Sequence, residues 1–379
     1  MTNKKRGKDP SRTTVAKLWI RAGGRCQFPG CNQNLMQDNI TWQQLNCGNV
    51  AHIVASSPDG PRGSQESYAL SDKLENLMLF CRLHHTEVDK DTEQYTVERL
   101  EMIKKLQEQK VQELLDGMNY PESQIVVLES PIKGKIHVHI DKMQMVNALR
   151  SIYKKPASQY PHIIQIEGYG EYSSEQYWVS AVEKLVNEIG RLNNMLKYAP
   201  ELMLSAFPLA PIPLIAKFGE LLGDKRNVDV FQKTREPDTW CWINTGTTNS
   251  FEVSKQIRPK SINKDEIAII LSLTANIAES RVLDIVDASV IYHIRAKHIG
   301  VDCISSTEDL KAFWEQYQTV CDRIKNEDHC NRASVFPAVP VSAAFEIGRR
   351  HMPGAHPILN IYEECDGFFK AVTIGGLNT

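Results

Sequence analysis

No stretch of this chain stays apolar for the ~18 residues that a membrane helix needs, and the N-terminal end has no hydrophobic signal core, so neither a span nor export is expected. Cysteine is too sparse and too uneven for a disulfide framework. There are nine in 379 residues, an odd number scattered along the chain, which points to a reducing, cytoplasmic setting. Cys47, Cys241, Cys303, Cys321, Cys330 and Cys365 have no partner at ligand spacing and read as ordinary thiols. A global excess of one charge is also missing. The net charge is -2 and 42% of the residues are hydrophobic, as in an ordinary soluble globular protein. At this length a single core is not expected, and two or three domains are.

The balanced total conceals a local excess. Residues 1–25 carry eight cations (Lys4, Lys5, Arg6, Lys8, Arg12, Lys17, Arg21, Arg25) against one acid, Asp9, which gives this end a face for a polyanion. Residues 1–12 read as a basic tail. In the following TTVAKLWIRAGGRC, Val15, Ala16, Leu18, Trp19 and Ile20 recur at helical intervals before Gly23-Gly24, predicting a short amphipathic helix that stops just ahead of Cys26.

The stretch 25–90 holds the chemistry. Cys26 and Cys31 are linked by a short loop containing Pro29 and Gly30, and Cys81 and His84 form a second pair at C-x-x-H spacing. Two such pairs can close one tetrahedral zinc site. Between and just after them lie His52 in the apolar run Val50 to Val54, Asn76 ahead of LMLF, and His85 beside His84. A lone strand histidine is ordinarily a core residue, and an Asn here can simply turn the chain. The order His, Asn, His set among two ligand pairs is what makes a candidate site.

On these residues the stretch resembles an HNH endonuclease module of the ββα-metal type, stapled by a structural zinc. About sixty residues bury too little apolar surface to hold a catalytic geometry, so a metal cross-link from first loop to last helix has a clear physical purpose. The resemblance implies that His52 is the general base, with an imidazole pKa suited to taking a proton from water near neutrality. It further implies a catalytic Mg²⁺ at the scissile phosphate, with His85 as ligand, and an Asn76 that either helps at that metal or fixes the loop carrying the base. Many relatives have an Asp before the basic His, where this chain has Ala51. Either Asn76, His85 and water complete the metal shell, or Asp59 of the loop PDGPRG joins it.

Downstream, Val97, Leu100, Ile103, Leu106, Val111 and Leu114 recur at helical intervals, with Thr96 to cap and Gly117 to stop the helix. This linker helix closes a nuclease domain expected over 13–116. Residues 117–150 read as a connector with two short alternating strands, QIVVL and KIHVHI, whose His137 and His139 are given no role.

Over 151–379, strand-like runs (HIIQI, ELMLSAF, VDVF, TWCWI, EIAIILSLT, SVIYHI, PILNIY, FKAVTI) alternate with helical ones (174–198, 211–222, 307–326, 340–351), an α/β signature. A repeat is visible within it. Phe207-Pro208-Leu209-Ala210-Pro211 leads into a helix reaching Phe218-Gly219, and Phe336-Pro337-Ala338-Val339-Pro340 leads into one reaching Ile347-Gly348 at the same spacing. Two fused Rossmann-like units related by a pseudo-twofold axis explain it.

A duplicated α/β pair behind such a module resembles the SAVED-domain HNH effector nucleases of bacterial anti-phage signalling (CBASS) systems. SAVED domains are similar to two fused CARF units, and FPAVPVSAAFEIGRR with HPILNIYEE looks like the end of one. The fold class implied is a zinc-stapled α+β nuclease module followed by an α/β domain of two CARF-like units. The resemblance also implies a sensor for a cyclic di- or oligonucleotide. On activation it assembles into a homo-oligomer, a dimer or larger, in which the HNH modules degrade double-stranded DNA. Ligands of open α/β sheets meet the carboxyl ends of the strands. EGYGEYSS offers Tyr169 and Tyr172 for base stacking and a helix N-terminus for phosphate. Symmetry adds Ser272, Thr274 and Asn276, with Phe336, Pro337 and Tyr362 nearby. Trp240 and Trp242 read as packing residues. Two rivals are a modification-dependent restriction endonuclease whose C-terminal region reads DNA, and a zinc module that binds nucleic acid without chemistry.

Overall fold

The computed structural model describes residues 7–38, 40–133, 135–136, 139–243, 246, 248–259, 261–263 and 265–376. Lys4, Lys5 and Arg6 of the basic end, and His137, lie outside the described residues. The chain divides into two compact units, residues 1–119 and 120–379, each taken by itself below.

In the first unit α1 (Arg12–Arg21) starts at Ser11, whose Oγ accepts the Thr14 amide at 3.1 Å. It stops as expected, because Gly23 and Gly24 take φ values of 62° and 66°. The strand β1 (Gly48–His52) pairs antiparallel with β2 (Leu77–Cys81), setting His52 opposite Leu77 and Gly48 opposite Cys81. A short helix α2 (Ser67–Leu70) lies in the crossover between them, and α3 (Arg82–Lys90) continues straight out of β2. The long α4 (Val97–Asp116) begins at the Thr96 cap. All of β2 is buried, as its unbroken LMLFC run requires. Leu18 of α1, Leu77, Leu79 and Phe80 of β2, Val88 of α3 and Leu100 of α4 form one small core. Lys104 adds a polar tie, its Nζ donating to Leu77 O at 2.8 Å and pairing with Glu108.

The second unit contains two sheets. The first is wholly parallel, with β3 (Glu122–Glu129), β6 (Met203–Leu209) and β7 (Val228–Val230) in that order; β4 (Lys155–Pro156) and β5 (His162–Gln165) both lie on the far side of β3. Its helices are α5 (Lys142–Ser151), α6 (Glu175–Leu196) and α7 (Ile212–Leu222). The second sheet has the order β13-β12-β11-β9-β10-β8, built from β8 (Phe251–Ile257), β9 (Ile267–Ser272), β10 (Val290–Ala296), β11 (Arg332–Ala338), β12 (Ile358–Glu364) and β13 (Phe368–Ile374). Its inner four strands are parallel and its two edges antiparallel. Helices α8 (Glu279–Leu283), α9 (Thr307–Asn326) and α10 (Val341–Arg349) connect them.

The duplication is wider than the proline motif that signalled it. Neighbour order β5-β3-β6-β7 in one half matches β10-β9-β11-β12 in the other. At the centre α7 packs on α10 through the two glycines of the repeat. A Cβ on Gly219 would lie 2.1 Å from Phe345 O, and one on Gly348 would lie 1.7 Å from Ala216 O. Each glycine therefore meets the residue three places before the other, as a twofold relation demands. Phe218 and Phe345 close the contact edge-to-face, with centroids 5.5 Å apart.

Three expectations are corrected. Of the expected connector 117–150, residues 120–150 are instead part of the second unit's architecture and 117–119 end the first. Its QIVVL lies in β3, a central strand buried on both faces, which is why the run is continuous rather than half-exposed. KIHVHI forms no strand among its described residues, which make only an Ile132–Ile136 bridge, and His139 Nδ1 sits 3.2 Å from Glu129 Oε1. TWCWI is not a strand either. Trp240 is buried against Phe207 and Phe231 just after the Thr234–Thr239 bridge, so its apolarity serves packing. The strand the sequence hid is β8, a polar edge strand paired only with β10.

Candidate functional sites

Cys26 and Cys31 flank the loop after α1, Cys81 ends β2, and His84 lies in the first turn of α3. The β1–β2 pairing and the direct β2–α3 junction bring these parts together. Their donor atoms all lie within 4.8 Å of one another. His84 Nδ1 is 3.2 Å from Cys81 Sγ and 3.6 Å from Cys26 Sγ, while the Cys81 amide donates to Cys26 Sγ at 3.3 Å. Phe28 lies flat on the His84 ring, centroids 3.9 Å apart, and fixes its orientation. Burial, with smaller contributions from Cys81 and Cys31 and against the Cys81 and Phe28 backbone amides, pushes the Cys26 thiol up to about 12. Left to itself this cluster keeps a neutral Cys26 thiol; a divalent cation would favour the thiolate. Three sulfurs and one imidazole nitrogen at these separations fit a tetrahedral ion with bonds of about 2.0–2.3 Å.

A second group lines an open cleft of about 600 Å³ in the same unit. His52, His85 and Asp89 share it with Asp9 and the loop residues Ser56 and Gly60. His52 Nε2 lies 3.0 Å from Ser71 O. A carbonyl only accepts, so Nε2 carries the proton and Nδ1 holds the free lone pair of the neutral ring. The N-terminal segment borders the same loop. Gly7 N donates to Ser56 O at 2.7 Å and Ser11 N to Asp72 Oδ1 at 2.8 Å, leaving Lys8 and Arg12 exposed.

Asn76 is buried and outside that cleft. Its Oδ1 accepts the Val54 amide at 2.8 Å, its Nδ2 donates to Val54 O at 2.9 Å and Leu70 O at 3.2 Å, and its carbonyl accepts the Ile53 amide at 2.8 Å. Of its two expected roles, these contacts serve the fixing of the loop. They hold the chain leaving His52 and also the turn whose Ser71 carbonyl fixes the imidazole. Ala51 is buried in the core, and Asp59 is not among the residues lining the cleft.

Asp89 and Arg62 escaped the sequence reading. Asp89 Oδ2 is 3.4 Å from His85 Nε2, and its Oδ1 is 3.0 Å from Arg62 Nη2. The Arg62 guanidinium is buried and also donates to Ile53 O and Val88 O, each at 2.7 Å, tying the residue after His52 to α3. The i, i+4 spacing of His85 and Asp89 was the available signal. For Arg62 there was none. Among the described residues the thiol cluster is the only group of three or more His, Cys, Asp or Glu side chains that could hold a metal.

In the second unit the expected ligand residues divide by burial. Tyr169 is 64% exposed, with Lys184 Nζ 3.9 Å above its ring, and Asn276 is exposed, while Thr274 and Pro337 are half-buried. Ser272 and Phe336 are buried and Tyr172 is half-buried against the core. Tyr172 packs edge-to-face on Tyr177, Trp178 and Phe369, and its carbonyl accepts Trp178 Nε1 at 2.8 Å. Phe336 is fully buried and stacked on Tyr362 at 4.4 Å, which leaves Tyr362 half-covered. Ser272 Oγ meets His293 Nε2 at 2.8 Å and accepts the Ile277 amide at 3.0 Å, so its hydrogen bonds are spent internally. At the carboxyl ends of β3 and β5, Glu129, Ser130, Gln165 and Lys184 line a cavity of about 280 Å³. Glu129, the polar end of an apolar run, accepts the Ile140 amide at 2.9 Å and Gln165 Nε2 at 3.0 Å.

A duplicated α/β unit with polar groups at its strand ends belongs to the class of open sheets that take ligands beyond the carboxyl ends of their strands. Residues 187–374 match the model of the SMODS-associated and fused to various effectors sensor domain, and this region is a SAVED domain. Solved structures similar to the chain include an Acinetobacter baumannii Cap4 SAVED/CARF-domain containing receptor with the cyclic trinucleotide 3'3'3'-cAAA, at 11% identity and a TM-score of 0.46, covering 77% of this chain and 62% of that one. The Moraxella osloensis Cap4 SAVED/CARF-domain containing receptor has 11% identity and a TM-score of 0.40, covering 76% of this chain and 60% of that one. The chain thus spans less than two thirds of either. No curated protein matches it. No helix among the described residues is long and apolar enough to cross a membrane.

Proposed function

We propose that this chain is a cyclic-oligonucleotide-activated, metal-dependent HNH endonuclease that degrades double-stranded DNA in bacterial anti-phage defence of the CBASS type. The observation that carries the reading is His52, fixed at Nε2 by Ser71 O and sharing one cleft with His85 and Asp89 beside a four-donor metal cluster. His52 Nδ1 takes the proton of the attacking water. Asn76 and Arg62 hold the backbone around that base. His85 and Asp89 would hold Mg²⁺, which when bound stabilises negative charge on the phosphate and the leaving oxygen. Cys26, Cys31, Cys81 and His84 would hold zinc as a staple, with no chemical role.

The SAVED assignment supports a cyclic-nucleotide messenger at the strand ends, where Tyr169 and Lys184 offer a base-stacking face and a cation. Binding would drive assembly of copies so that two clefts meet the two DNA strands. The test is a plasmid digestion with Mg²⁺ against a panel of cyclic di- and trinucleotides, including 3'3'3'-cAAA, with particle mass followed in parallel. One panel member should switch on cleavage and raise the mass. Cleavage without any nucleotide would point to a DNA-reading restriction enzyme, and activation at unchanged mass would remove assembly from the mechanism.

A further inference from the structure

Between Cys31 and β1 the chain leaves the first unit's core as a narrow finger. Its flanks are tied together, Cys47 N to Leu35 O at 2.8 Å, Leu45 N to Met36 O at 3.2 Å and Asp38 N to Gln43 O at 2.9 Å. The tip is closed by Asp38 Oδ1, which accepts the Ile40 amide at 3.0 Å and the Thr41 amide at 2.7 Å. Gln37 Nε2 donates to Trp42 O at 3.0 Å. This turn puts Trp42 in the left-handed region, φ 60°, where a bulky side chain sits only when its surroundings impose it.

The consequence is an apolar tip turned to solvent. Ile40 is 87% exposed and Trp42 is 73% exposed. Single exposed apolar residues need no explanation, but two of the largest on one braced tip add nothing to the core and are suited to a partner. The root of the finger is cationic. Leu35 N is bound to Gly24 O, and the nearby Arg21 and Arg25 are exposed, Arg21 with Glu108 Oε2 3.7 Å from its Nη1. An apolar tip on a cationic base has the chemistry of a wedge that enters a nucleic-acid stack while its base holds phosphates.

We propose that the finger is a DNA wedge, with Trp42 and Ile40 stacking at a base step of the duplex presented to the His52 cleft and Arg21 and Arg25 on the backbone. This rests on the endonuclease reading and adds to it a means of gripping and distorting the substrate. The test uses the full chain carrying His52→Ala, so that DNA stays intact, and a duplex containing 2-aminopurine, whose emission rises when it is unstacked. That protein should bind the duplex and raise the emission. Adding Trp42→Ala should weaken binding about tenfold, the size of one lost stacking contact, and abolish the rise, whereas Trp42→Phe should keep both. Binding and emission unchanged by Trp42→Ala overturn the wedge and leave the nuclease reading standing. No duplex binding by the parent overturns both. A fall in particle mass caused by Trp42→Ala without DNA would assign the tip to a second copy of this chain and overturn the proposal.

Discussion

The two units of this chain hold themselves together in different ways, and that difference decides how openly each states its function. The first has one small core around a two-stranded sheet and concentrates its chemistry in a handful of side chains at fixed spacing. The second has, among its described residues, eleven strands in two sheets, where apolar packing does the holding and the polar groups of interest lie at strand ends, on α6 and in loops. A cross-link in so small a unit would need its ligands at short, fixed spacings, and spacing is what a sequence displays. A unit with a large core can place a binding residue on any loop that reaches the right edge.

The largest effect expected from this contrast comes from the thiol cluster. Cys81→Ala or a strong chelator should abolish a zinc content of one per chain and unfold the first unit, since structural zinc in small domains contributes on the order of 10 kcal/mol. A calorimetric transition belonging to the second unit should persist. Both transitions surviving metal removal would show that the small unit does not need its staple.

Next in size is His52→Ala, which should lower cleavage by roughly 10²–10⁴-fold with zinc content and melting unchanged, as expected for loss of a general base. A matching probe of the large unit is Gly348→Ala. The new Cβ would fall 1.7 Å from Ala216 O, a backbone atom that cannot swing aside, so α7 and α10 must separate. A loss of about 3 kcal/mol in denaturant unfolding of the second unit is expected. No loss would mean that the twofold helix contact is looser than its glycines indicate.

Asn76→Ala should cost about 2–3 kcal/mol, because it strands buried backbone groups of Val54 and Leu70, and should also slow cleavage by freeing the segment around His52. Normal cleavage in a destabilised variant would separate Asn76 from the base. An effect visible only as a pH dependence belongs to Glu363 of β12, whose pKa burial pushes up to about 7. Below the unfolded value near 4.5 both states hold the proton. Between there and about 7 only the folded state does, so stability of the second unit should fall as pH rises through that window and level off above it. Glu363→Gln should flatten the slope, as read by melting temperature against pH.

Legibility followed the same division. That Cys26, Cys31, Cys81 and His84 come together was legible, because donors meant for one ion fall at short, paired spacings. That His52 and His85 share one cleft was legible only through their place among those pairs. The function of Asn76 could only be narrowed to two, since choosing between them required knowing that Val54 and Leu70 flank it. Arg62 was invisible because its guanidinium acts on carbonyls that only the fold assembles. In the second unit, Tyr169 and Tyr172 lie three residues apart in one loop, yet one is exposed and the other sits among Tyr177, Trp178 and Phe369. No local pattern distinguishes them. The FPxxP repeat announced the duplication, but its extent emerged only from the shared strand order, because β3 reads as a short isolated run until it is seen beside β6.

The most direct test of the central claim compares wild type with the His52→Ala variant, each carrying one zinc per chain, on supercoiled plasmid with Mg²⁺ and the cyclic nucleotide that activates wild type. The account predicts that wild type fragments the plasmid only when the nucleotide is present and that the variant leaves it supercoiled. Equal fragmentation by both would contradict it, because the base would then lie elsewhere.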